Sequence, residues 1–353
     1  MTRPTKEFDA SVPERAALVA EELATVLEKF GSEAGQYNVL GPDPWQVLWN
    51  DDRSGFVGFL EGRKCLLVWR SPVGRPDEQG KLMVRLLIYG LKVKKAVFAL
   101  VVNDATRAVA EDHGMVSIWM GNESYLDLKH WSLEGTRRHK VRWAMNQGAR
   151  NGLSWREAFP TSDSSDREGI ARVEVRWKAE RSERRTDSFL RTAYDELESY
   201  RRYFVCEKSG EIIAFVACTP VSKKGWYLQD IVRLPSAPRG ALEGAMSHAL
   251  AAFQKEGYDF ASNGALPFWE PGEIWSDPHQ FGFIGNVVVR FFNHQYRFRA
   301  INQFRSKFAP DRVEPAFVLR SQLFITPGVA RSLVKLLKKH PGTNDEGHYF
   351  NSK

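Results

Sequence analysis

Cysteine is scarce in this chain: Cys65, Cys206 and Cys218 are the only three, with no CxxC spacing. So few, odd in number and far apart, they exclude a disulfide framework and a four-cysteine zinc site, and they fit a reducing cytoplasm. The histidines show no HxxxH or HxH spacing, so no metal centre is expected. No apolar run reaches the ~20 residues of a membrane span. The charged N-terminus lacks the apolar stretch of a secretory signal. A GxSxG elbow, a Walker loop and a Rossmann fingerprint are missing too. The expectation is a cytoplasmic protein with no transmembrane segment and no cofactor.

What the chain does have is length and cationic charge. Its 353 residues leave room for two domains with substantial cores. A formal charge of +7 and a pI near 9.2 favour an anionic partner, either RNA or an acidic membrane surface. Residues 290–312 hold six Lys/Arg against one Asp, threaded with Phe291, Phe292, Tyr296, Phe298, Phe304 and Phe308. Cations engage phosphates while aromatic faces stack, which suits nucleic acid. A buried amphipathic helix with a solvated basic face has the same composition. A second strip carries Arg137, Arg138, Lys140, Arg142, Arg150 and Arg156, and reads as a basic helix ending near Gly148 or Gly152.

Hydrophobic periodicity sets out the rest. Residues 13–30 are spaced as a helix, and 56–60 with 64–69 as a hairpin turned at Glu61-Gly62. A helix over 78–91 and a strand over 96–102 complete one α/β unit. The polar stretch 160–169 marks a junction, followed by a charged helical stretch over 168–200. A second hairpin (203–206 with 212–220), a strand over 225–232, a helix over 241–254 and strands at 260–262 and 287–290 repeat the first pattern, which points to an internal duplication. The division expected is 1–160 and 161–353. Residues 329–340 form a short basic amphipathic helix, for packing on the domain or for peripheral contact with a membrane surface.

Asp230-Ile231-Val232-Arg233 closes a predicted strand, where α/β sheets present ligand contacts. A carboxylate and a guanidinium there suit work on an aminoacyl ester: Asp230 deprotonates or holds the nucleophile, and Arg233 stabilises an oxyanion. A structural ion pair is the plainer reading. An acyl-CoA donor would need a glycine-rich pyrophosphate loop opening the next helix. Pro238-Arg239-Gly240-Ala241-Leu242-Glu243-Gly244 fails that spacing.

Asn293, Phe298, Phe304, Lys307-Phe308, Pro310 and Glu314-Pro315 resemble the closing signature of the phosphatidylglycerol lysyltransferase C-terminal domain family. Arg305 stands where that signature has a first lysine, and His294 where an aromatic is usual. The aspartate-x-x-arginine at Asp230 and Arg233, Gly121-Asn122-Glu123-Ser124, Trp177, Glu180 and Ser262-Asn263-Gly264-Ala265-Leu266-Pro267 extend the resemblance over roughly 35–335. Ser182-Glu183-Arg184-Arg185 departs from the family pattern, so selectivity for acceptor or amino acid is expected to differ. The resemblance implies an α/β fold of two tandem GNAT-like domains with mixed central sheets flanked by helices. It also implies transfer of an amino acid from aminoacyl-tRNA to the hydroxyl or amine of a lipid headgroup or small molecule. In that reading Asp230 and Arg233 are catalytic, and Trp177, Glu180, Tyr227, Asn263 and Asn293 bind substrate. Arg137, Arg138, Lys140, Arg142, Arg299, Arg305 and Lys307 would contact tRNA. The competing readings are an N-acyltransferase fed by acyl-CoA or an acyl carrier, and a non-catalytic RNA-binding module.

Overall fold

A computed structural model describes residues 12–181, 198–269, 298–321 and 325–338. The alternating and all-apolar runs form strands: β1 (Glu14–Arg15), β2 (Gln46–Trp49), β3 (Phe56–Glu61), β4 (Cys65–Trp69), β5 (Ala96–Val102), β6 (Val116–Asp127), β7 (Leu153–Ala158), β8 (Arg202–Lys208), β9 (Glu211–Val221), β10 (Gly225–Arg233), β11 (Phe260–Pro267) and β12 (Arg312–Arg320). The helices are α1 (Ala20–Phe30), α2 (Pro76–Lys92), α3 (Asp104–Asp112), α4 (His139–Arg150), α5 (Ser164–Arg181), α6 (Ala241–Lys255), α7 (Phe298–Arg305) and α8 (Pro327–Lys338). Local chemistry sets several boundaries. Pro76 opens α2 at a position where its missing N–H costs nothing. The Asn103 side chain caps α3 by accepting from the Thr106 N–H at 2.8 Å.

All twelve strands join one sheet, in the order β1-β2-β3-β4-β5-β12-β6-β11-β10-β9-β8-β7. Each half contains one parallel pair, β4 with β5 and β10 with β11, and the other named neighbours run antiparallel. This is the mixed α/β architecture expected, a large mixed sheet flanked by helices. The halves do not part at residue 160. Residues 139–158, on the first side of that division, build α4 and β7 against α6 and β8. The C-terminal β12 sits between β5 and β6, joining the two halves through its backbone hydrogen bonds.

One apolar core fills the second half, around Phe204, Phe215, Phe253 and Phe308. Two others cover opposite faces of the first half. Helix α8 packs there through Val329 and Leu336, and Ser332 Oγ accepts from the Lys64 N–H at 3.0 Å. The strand expected at 287–290, the part of the aromatic stretch over 290–297 and the helical reading of 182–197 fall outside the described residues.

All three thiols are buried. Burial pushes Cys206 up to about 12 and raises Cys65 and Cys218 as well. Because the thiolate is the reactive form, a disulfide reagent at pH 8 is expected to label none of them in the native protein and all three in denaturant. Stoichiometric labelling of the native state would contradict this packing.

Candidate active site

Strands β10 and β11 pair only at Gly225/Phe260, Trp226/Ala261 and Tyr227/Ser262. Beyond that point β10 continues along β9 and β11 along β6, so a wedge opens between them. Both strands bulge at its apex, β10 between Leu228 and Asp230 and β11 between Ser262 and Gly264. Bulges re-aim side chains, and here they leave Gln229 and Asn263 out of the ladder on the two sides of the wedge. Gln229 accepts from Thr219 Oγ1 at 2.9 Å and donates to Asn38 Oδ1 at 3.1 Å, reaching into the first half. Asn263 is fully buried and donates to the Arg305 carbonyl at 3.1 Å, while its Oδ1 has no hydrogen-bond partner among the described residues.

Charge is buried beside the wedge. Asp230 pairs with Arg201 at 3.0 Å, with only 7% and 2% of the two side chains exposed. Across the sheet, Glu123 on β6 accepts from Ser262 Oγ and from Arg70 Nη1, the latter at 2.8 Å. Arg70 follows β4 in the first half, so this pair joins the halves. Burial opposes the charge on Arg70, but Glu123, Tyr227 and Glu33 hold its guanidinium above the ordinary value. Glu33 accepts from the Ser71 N–H at 3.0 Å and Asn103 Nδ2 at 2.6 Å. Burial still raises its carboxyl. Tyr227 is half-buried amid this network. Desolvation raises its phenol, with Arg305 and Arg70 pulling the other way and Glu123 and Asp230 adding to the rise. The phenol therefore stays protonated at neutral pH, as a hydrogen-bond donor.

The expected Asp230–Arg233 couple is not formed. Asp230 stands opposite Ala217 and Arg233 opposite Ala214, three positions apart on β9, so the two side chains leave opposite faces of the sheet. Arg233 is exposed and donates to the Ala237 carbonyl at 2.7 Å. Among the described residues, the guanidinium that Asp230 meets is Arg201. It lies in the Arg201-Arg202 doublet just before the strand expected at 203–206, and that doublet was the signal available. Arg70, at the end of another predicted strand, was open to the same positional argument as Asp230. Trp177 packs on the second-half core from α5, which also carries Glu180. Asn293 lies outside the described residues.

The basic strips divide as well. Arg138 is buried over the Trp131 ring and donates to the Phe308 carbonyl at 2.8 Å and to Asp311 at 3.0 Å. Arg137 binds Asp311 and the Pro310 carbonyl, and Arg142 donates to the Leu133 and Gly135 carbonyls. These three tie the loop before α4 and the segment before β12 to the core. Lys307 pairs with Glu243 at 2.9 Å, and the Arg305 guanidinium lies against Gly264, donating to the Ala265 carbonyl. Gly264, at φ +86°, has no space for a Cβ, which would sit 2.7 Å from that guanidinium. Lys140 and Arg299 are exposed. So is Trp143 on α4, with the Arg239 guanidinium 4.9 Å from its ring centroid.

The α6 N-terminus, where a CoA pyrophosphate would rest, is filled from within. Glu243 accepts from the Gly240 N–H at 3.3 Å while pairing with Lys307. Gly240, at φ +98°, is pressed so close to α4 that a Cβ would lie 2.3 Å from the Ala144 carbonyl oxygen.

The sequence profile of one family, "Phosphatidylglycerol lysyltransferase, C-terminal", matches residues 45–320, including every described residue of the wedge except those of the first-half segment at 33–38. The chain belongs to that family. A phosphatidylglycerol lysyltransferase of Staphylococcus aureus (strain MRSA252) is 22% identical over 302 residues, which are 85% of this chain and 35% of that protein. The chain thus spans about a third of the curated relatives it matches. Among solved structures, the C-terminal domain of a putative lysylphosphatidylglycerol synthetase from Agrobacterium fabrum superposes with a TM-score of 0.75 at 18% identity, covering 91% of this chain and 98% of that one. L-PGS from Bacillus licheniformis gives 0.74 at 17% identity, covering 93% and 99%. These likenesses establish the fold of this lysyltransferase-family chain.

Proposed function

We propose that this chain is an aminoacyltransferase that moves an amino acid from aminoacyl-tRNA to the hydroxyl or amine of a lipid headgroup or small molecule, at the wedge between β10 and β11. One observation supports this most: a desolvated Asp230–Arg201 pair at the point where the two strands part, beside a phenol held in its donor form. The relatives' names give the reaction class. An aminoacyl ester is already activated, so the protein has to position two reactants and stabilise charge. The acceptor O–H or N–H attacks the ester carbonyl carbon while Asp230 takes its proton. Tyr227 donates to the resulting oxyanion. Collapse breaks the ester C–O bond, and the proton on Asp230 leaves with the ribose oxygen of the tRNA 3′ end. Arg201 holds the carboxylate in place. Lys140, Arg299 and the Arg239–Trp143 pair are the exposed groups suited to RNA, whereas Arg137, Arg138 and Arg142 act mainly through the fold.

An N-acyltransferase using acyl-CoA is disfavoured by Glu243 and by the close approach of α4 at Gly240. The experiment is incubation with each radiolabelled aminoacyl-tRNA and a cell extract, with and without RNase, followed by phase separation. Label should enter a lipid or small-molecule product, and RNase should abolish the transfer. Undiminished transfer after RNase, or transfer from acetyl-CoA, would sink this reading. Tyr227→Phe is expected to slow transfer about a hundredfold, the usual cost of one oxyanion donor.

A further inference from the structure

A group of cations that no salt bridge holds among the described residues lies at one end of the first half, away from the wedge. The β3–β4 turn carries Arg63 and Lys64, the end of α2 and its following turn carry Lys92 and Lys94, and the outer face of α8 carries Arg331 and Lys335. All six are exposed, and no salt bridge holds any of them among the described residues. Glu61, a carboxylate at this end, is already paired with Lys95. Backbone bonds hold the three segments together: the Ala96 N–H donates to the Lys64 carbonyl at 3.0 Å, the Lys64 N–H to Ser332 Oγ at 3.0 Å, and the Lys95 N–H to the Gly90 carbonyl at 2.8 Å. Two aliphatic side chains project among the cations, Leu91 at 72% exposure and Val334 at 44%.

We infer that this end of the first half is a docking surface for an anionic lipid bilayer. Lysines and arginines around exposed aliphatic side chains match a negatively charged surface with an apolar interior. RNA is the other polyanion to consider, but among the described residues this end presents no exposed aromatic side chain for stacking, whereas the Trp143–Arg239 pair on α4 does. The strand directions add a consequence. Because β5, β12, β6 and β11 alternate, the starts of β4 and β5 and the open end of the β10–β11 wedge belong to the same end of the sheet, rotated apart by its twist.

The test is sedimentation of the full chain with vesicles of phosphatidylcholine alone, or of phosphatidylcholine with about a third phosphatidylglycerol. It requires no catalysis, so it stands or falls separately from the proposed transfer. The chain should bind the anionic vesicles, release as salt rises, and ignore the neutral ones. The double variant Arg63→Glu/Lys92→Glu should weaken binding about tenfold or more, and Leu91→Ser should weaken it without altering the salt dependence. Circular dichroism checks that both variants fold. The inference is overturned if wild type ignores anionic vesicles, or if the folded variants bind them as tightly as wild type. It is also overturned if the charge reversal reduces affinity for deacylated tRNA and leaves vesicle binding intact.

Discussion

Asp230→Asn is expected to reduce aminoacyl transfer by about two orders of magnitude or more, while Arg233→Ala leaves it within about threefold. The two residues close the same strand, but their three-residue spacing puts them on opposite faces of the sheet. Their surroundings differ. Asp230 is buried against Arg201 at the point where β10 leaves β11, whereas Arg233 is exposed on the opposite face and bonded to a loop carbonyl. Asn fills the same space but cannot take a proton from the acceptor. It also takes one charged partner from the buried Arg201, so the melting temperature should fall and rates must be counted per folded molecule. Transfer assays on both variants, with melting curves beside them, decide the matter. Near-normal turnover by Asp230→Asn, or a hundredfold loss in Arg233→Ala, would move the chemistry to the other face of the sheet.

The second large effect is on stability. Glu123→Ala should cost about 3–5 kcal/mol, because it strands the buried Arg70 guanidinium in a place with little water. Arg70→Ala should cost a similar amount by stranding Glu123. Replacing both, as Glu123→Leu/Arg70→Met, should recover much of the loss, since a buried pair exchanged for apolar side chains of similar size is often neutral. The double variant is then expected to be folded but slow, because Ser262 loses its hydrogen-bond acceptor and Tyr227 the charges around its phenol. Denaturant unfolding of the three proteins tests this. Additive losses in the double variant would show that the two residues act independently.

Much of the frame was legible because periodicity is a local property. The helix read over 241–254 is observed as Ala241–Lys255, and the strand over 96–102 is observed as Ala96–Val102. The site was legible only in part, since its pairings are long-range. Asp230 stood out at a strand end, but its partner Arg201 lies a whole hairpin earlier, just before β8, and no spacing rule locates the bulge at Gln229 that re-aims β10. The alternation of a strand already puts Asp230 and Arg233, three residues apart, on opposite faces, so reading them as one couple ran against it. The basic helix showed the reverse weakness. Composition cannot tell Lys140, which faces water, from Arg138, which lies over Trp131 and satisfies backbone carbonyls.

The central claim is that the aminoacyl end of the donor is held in the wedge between β10 and β11. A crystal soaked with a non-hydrolysable 3′-aminoacylamino-adenosine tests it most directly. The account predicts the amide carbonyl within hydrogen-bond reach of the Tyr227 hydroxyl, with Asp230 on one side and Asn263 and Gly264 on the other. Density for the analogue at the α6 N-terminus beside Gly240, or between β4 and β5 in the first half with the wedge empty, would contradict it.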